Sequence, residues 1–165
     1  MKWIGISGSW RQTCPELESD VIRETRQLLS DGNGIVSGGA LGVDFLSTKT
    51  ALQAFPDGSR VKIIIPAPLG VYAAHFRARA SEGVISSDQA EQLITQLELV
   101  QSIGSLVTMD YDELSQQTYY ARNSEVVAAS DELLAFQVNG SGGVQDTVDK
   151  AQESGIPVRV FSYTI

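Results

Sequence analysis

The chain has 165 residues, 42% of them hydrophobic, with 12 basic against 20 acidic side chains and a formal net charge of −8. That length and apolar content suit one globular domain spanning 1–165 and exclude a disordered chain, and no apolar run approaches the roughly 20 residues needed to cross a bilayer. The acidic balance argues against nucleic acid along an extended phosphate-binding surface, whereas a small phosphate-bearing ligand needs only one or two basic residues.

The opening "MKWIGISGSW" holds a single basic residue and starts a strand, so it reads as a cytoplasmic protein's N-terminus rather than a secretory signal. Lys2–Ser7 is a short apolar run that suits a buried strand. The turn after it, "SGSWR", offers Gly8 for close backbone approach, a hydroxyl at Ser9 and a forked guanidinium at Arg11. A plain tight turn with a solvated arginine accounts for the same residues. Cys14 is the only cysteine, which excludes an internal disulfide and a multi-cysteine zinc site, and no metal is expected. From Pro15 the pattern is helical, with Leu17, Val21, Leu28 and Leu29 on one face and Gly32-Asn33-Gly34 as the stop.

"GIVS" (Gly34–Ser37) is a second strand, and Leu41–Ala54 a second helix that ends before Pro56. Between them, Ser37, Gly38 and Gly39 make a loop whose N–H groups, with a helix start, suit an anion. Asp44 falls in the first helical turn. It is a partner for the helix dipole, a brace for the loop or an acceptor for a ribose hydroxyl. Arg60–Ala67 is a third strand, Ala73–Ala80 a helix, and Ser86 or Ser87 caps a helix running to about Ile103. His75, the one histidine, reads as a surface or packing residue. "SLVTM" is a weak strand, and Tyr119–Ser130 a helix begun by Arg122 and Asn123. Those two side chains can touch phosphate and base or ribose, or simply sit at an exposed helix start. Tyr119 and Tyr120 are either stacking surfaces or the rim of the core. Glu132–Val138 is a strand, Val144–Glu153 a helix and Pro157–Thr164 the last strand. The turn before that helix holds Ser141, Gly142, Gly143 and Thr147, suited to a ligand or to capping.

Alternating strands and helices imply an α/β fold: a mostly parallel sheet in a three-layer sandwich, with helices on both faces. Ligands of such sheets sit outside the carboxyl ends of the strands, which is where the three glycine turns fall. This is not the usual nicotinamide fingerprint. The first turn lacks G-x-G-x-x-G, Ser37-Gly38-Gly39 stands where an acid would hold the ribose, and there is no Walker lysine.

Together, "IGISGSWR", "GIVSGGALGVDFLSTKTAL", "YYARNSEVVAASDELLAF" and "GSGGVQDTVDKAQESGIPVRVFS" resemble the SLOG superfamily of Rossmann-like proteins. The likeness is closest to the core of the DNA-processing protein DprA and its short single-domain relatives. The family's SG-x-A-x-G-x-D motif resembles Ser37, Gly38, Ala40, Gly42 and Asp44, its RN helix resembles Arg122 and Asn123, and its SG-x-x-x-T loop resembles Ser141, Gly142 and Thr147, one residue longer here. The resemblance covers most of the chain outside about 82–118, a segment that reads as a lid or an oligomer interface. It implies a nucleotide or nucleotide-derived ligand, no required cofactor, and a homo-oligomer. It also admits two other functions, phosphoribohydrolase and DprA-like DNA-processing module. The LOG phosphoribohydrolases of this superfamily carry a catalytic glutamate in the last loop. No glutamate stands in register here, and Asp146 and Asp149 are the acids available.

Overall fold

Twelve elements alternate along the chain, which a computed structural model describes in full over residues 1–165. They are β1 (Trp3–Gly8), α1 (Pro15–Ser30), β2 (Gly34–Ser37), α2 (Val43–Ala54), β3 (Val61–Ile65), α3 (Leu69–Ser81), α4 (Ser87–Ser102), β4 (Leu106–Thr108), α5 (Gln116–Ala128), β5 (Glu132–Val138), α6 (Gly142–Glu153) and β6 (Val158–Tyr163). All five strand pairings are parallel, in the order β4-β3-β2-β1-β5-β6. Ile4 lies between Ile35 and Glu132 in the central register. The chain therefore winds outward from β1 to β4, returns to the far side of β1, and winds outward again. The direction reverses between β1 and β5, and that is where a ligand crevice forms in open α/β sheets.

The inner strands are mostly apolar because both of their faces are covered, whereas the edge strands β4 and β6 leave residues exposed. Ile4, Ile6, Ile35, Ile63, Ile65, Leu134 and Phe136 point to one side, where α1 to α4 contribute Leu17, Val21, Val43, Tyr72, Phe76, Leu93 and Leu97. Leu133 and Ala135 point to the other, against Val127 on α5 and Val144, Val148 and Ala151 on α6. Val36 and Ile64 meet Val126 of α5 on that same side. Full burial of each such side chain stabilises the fold by about 1.5–3 kcal/mol.

Several helix starts differ from the sequence reading. α5 begins at Gln116 because Ser115 caps it: the Ser115 hydroxyl accepts from Thr118 N, and Thr118 Oγ1 accepts from Ser115 N. Arg122 and Asn123 thus lie in the second turn rather than at the start. α3 begins four residues early, at Leu69, and α6 includes Gly142 and Gly143, whose low helix propensity hides them in the sequence. The 82–118 segment is built into the sandwich. α4, capped by Ser86, buries Leu93, Ile94, Leu97 and Val100, and β4 extends the sheet beside β3. No helix is long and apolar enough to cross a membrane.

Candidate functional site

At the carboxyl ends of β1, β2 and β5 lies a cavity of about 580 Å³, within the range of small-molecule sites. Gly8 lines it at the end of β1. Ser9, next in sequence, turns away and ties three elements together: its N–H donates to Phe136 O at 3.2 Å, its carbonyl accepts from Val43 N at 3.1 Å, and its hydroxyl accepts from Gln12 N at 3.1 Å. Trp10 and Arg11 return to the cavity, with the Arg11 guanidinium 5.4 Å from the Trp10 ring.

The loop after β2 folds its amides inward. Gly39 N donates to the Ser37 hydroxyl at 3.4 Å, and Ala40 N to Asp44 Oδ2 at 3.2 Å. Its carbonyls are held by buried side chains: Gly38 O accepts from Arg122 Nη1, and Gly39 O from the Tyr72 hydroxyl at 2.9 Å. A side chain at Gly38 would run into Arg122, its Cβ falling 2.5 Å from Cζ. Asp44 is 5% exposed and lines the cavity, while its Oδ1 has no partner. Burial pushes its carboxyl up to about 6, against the opposing pull of the Arg122 guanidinium and the loop amides.

Arg122, 8% exposed, lies over the Tyr119 ring at 5.3 Å, and its Nε donates to Asn123 Oδ1 at 3.1 Å. Its Nη2 has no protein acceptor. The Asn123 amide donates across to Asp146 Oδ2 at 3.1 Å; that oxygen also receives Lys150 Nζ at 2.7 Å, and Lys150 donates to Tyr120 O as well. Asn123 therefore joins α5 to α6 while lining the cavity. Asp146 belongs to this brace, and Asp149 accepts from Gln145. At the start of α6, Ser141 makes no side-chain cap, and the N–H groups of Gly142, Gly143 and Val144 have no acceptor in the protein. Unpaired N–H groups and the positive end of a helix are a donor set that suits an anion. Thr147 Oγ1 donates back to Gly143 O at 3.2 Å.

The charge around the cavity opposes that of the chain. Arg11, Arg79 and Arg122 line it against the single carboxylate of Asp44, and the one histidine, His75, lines it as well. His75 meets Phe76 and Tyr119 edge-on, and burial, then Arg79, lowers its pKa. Arg79 donates to Glu82 at 3.0 Å, with its Nε buried and unpartnered.

Gly8, Arg11, Gly38, Asp44, Arg122, Asn123, Ser141, Gly143 and Thr147 all line the cavity, together with Tyr119 and Tyr120. Ser9, Ser37, Gly39 and Gly142 do not. Sequence reasoning missed Trp10, Arg79 and Gln116. Arg79 stands four residues from His75 on α3, a spacing that puts the two on one face, but with His75 read as a surface or packing residue nothing in the sequence singled Arg79 out.

Residues 2–165 match the family model for DNA recombination-mediator protein A. DNA processing protein A from Helicobacter pylori, described for its single-stranded DNA binding mode, is similar in structure with a TM-score of 0.69 and 22% identity, over 96% of this chain and 64% of that one. The structural-genomics target TM1055 gives 0.58 and 16%, over 96% and 72%. DprA from Streptococcus pneumoniae gives 0.52 and 17%, over 96% and 58%. Both DNA-processing proteins are thus considerably longer than the region this chain spans, and at these identities the likeness shows the fold. No curated protein matches the chain.

Proposed function

The chain belongs to the DNA recombination-mediator protein A family, and on that premise we propose that it binds a phosphate-bearing nucleotide in the crevice between β1 and β5. One observation carries this reading. A protein of net charge −8 gathers three arginines and its only histidine around one cavity that holds a single, buried carboxylate. Arg122 Nη2 and the open N–H groups of Gly143 and Val144 are the donors for phosphate, and the apolar lining from Ile6, Val126 and Val144 suits the rest of the ligand. Thermal-shift and calorimetric titration with a panel of nucleoside mono-, di- and triphosphates tests it. Binding of at least one nucleotide more tightly than inorganic phosphate is expected, and no response across the panel refutes it. Base release measured on the same panel separates a binder from an N-glycosidic hydrolase.

A second reading rests on the family and on the Helicobacter pylori relative: the nucleotide is one unit of single-stranded DNA. Anisotropy with a labelled short oligonucleotide distinguishes the two. Affinity that falls steeply between about 50 and 200 mM salt would favour the strand.

A further inference from the structure

The exposed large apolar side chains of this protein are Met1, Trp10, Leu99, Val107, Tyr111, Val160 and Ile165. Of these, only Trp10 lines the cavity, and it does so with 40% of its surface exposed. Its backbone, by contrast, is fixed from two sides. Ser9 holds β5 and α2 through its N–H and carbonyl. Gly42, at φ +70°, lets the start of α2 approach so closely that a Cβ there would fall 2.3 Å from Ser9 O and 3.0 Å from Trp10 Cα. The loop is pinned while the indole it carries stays partly exposed.

An exposed tryptophan on a rigid support holds a large flat surface in place at low entropic cost to a ligand. The Arg11 guanidinium lies against this ring, and the other aromatic groups at the cavity, Tyr119 and Tyr120, stand on α5. The Arg122 fork and the start of α6 supply the anion-binding groups, so the exposed part of the indole is left for the part of the ligand that is flat and apolar. Resting on the nucleotide reading above, we infer that Trp10 is the base-stacking platform of the site and that the ligand's aromatic base lies on its indole. The base belongs either to a free nucleotide or to a strand, since both present the same π-face.

The protein reports on this directly, because it has only two tryptophans and Trp3 lies at the opposite end of β1, beside Lys62. In a Trp3→Phe background, Trp10 is the sole tryptophan emitter. Titration with nucleoside monophosphates, a short oligothymidylate and ribose 5-phosphate should quench its emission with the base-bearing ligands only. Trp10→Ala should raise the dissociation constant for the base-bearing ligand by about 5- to 100-fold, with a smaller rise for Trp10→Phe and none for ribose 5-phosphate. Quenching by the oligothymidylate alone assigns the base to a strand, and quenching by a monophosphate assigns it to a free nucleotide. Melting curves of both Trp10 variants confirm that the fold is intact. A base-bearing ligand that binds calorimetrically without quenching, and equally well to Trp10→Ala, overturns the role of Trp10 while leaving the nucleotide reading in place. If neither the monophosphates nor the oligonucleotide binds wild-type protein, the nucleotide reading fails and this inference falls with it.

Discussion

Gly42→Ala tests how the site is assembled. At φ +70° and ψ −121° the backbone is in a region that side-chain-bearing residues rarely adopt, which costs about 1–3 kcal/mol. The added methyl would also sit 2.3 Å from the Ser9 carbonyl, a backbone atom already bonded to Val43 N. Relief requires the β1–α1 loop and the start of α2 to part by about 1 Å in a close-packed region. Overpacking of that kind costs about another 1–3 kcal/mol. The expected loss is about 2–6 kcal/mol, or a melting temperature lower by roughly 4–24 °C for a domain of this size. Gly70→Ala is the control, since Gly70 lies inside α3 with nothing near its missing side chain. It should melt at or slightly above wild type, by up to about 1 kcal/mol. Thermal and urea unfolding of both variants measure the contrast. If Gly42→Ala melts with wild type, the contact between the two loops is not what the glycine serves.

Arg122→Ala should weaken binding of the nucleotide by about 1–3 kcal/mol, near 5- to 150-fold by calorimetry, because it removes a buried charge-assisted donor. Unchanged affinity would remove Arg122 from the site. Ser141→Asp places an acid at the uncapped start of α6, so its two effects should have opposite signs: a fold more stable by about 0.5–1 kcal/mol and a weaker hold on the anionic ligand. Tighter nucleotide binding in that variant would contradict an anion site there. Asp44 keeps its proton more tightly in the folded state, at about 6 against its ordinary 3.8, so the folded protein binds more protons between those values. Stability should therefore fall as pH rises through about 4 to 6 and level off above, by up to about 3 kcal/mol. In Asp44→Asn that part of the slope should vanish in urea unfolding measured across the window, and an identical slope in both proteins would refute it.

The sequence by itself determined the layers. Short apolar runs separated by helical periodicity specify a parallel sheet covered on both faces, and the strands at Gly34–Ser37 and Glu132–Val138 fall where local pattern puts them. The core positions of α1, Leu17, Val21, Leu28 and Leu29, follow from the same periodicity. Glycine turns at strand ends likewise pointed to the sheet edge where the cavity lies. Local pattern did not reach the direction of each polar group, since that depends on partners far away in sequence. The amides after β2 turn toward Ser37 and Asp44, and the Gly38 carbonyl meets a guanidinium 84 residues away. Asp44 is buried beneath that loop, and no spacing within one helix predicts such burial. Trp10 and Arg79 come to line one cavity only once the ends of β1, α3 and α5 converge on it. Periodicity records which side of an element is apolar, whereas the destination of a charge is set by the packing of elements against one another, and only the tertiary structure decides that.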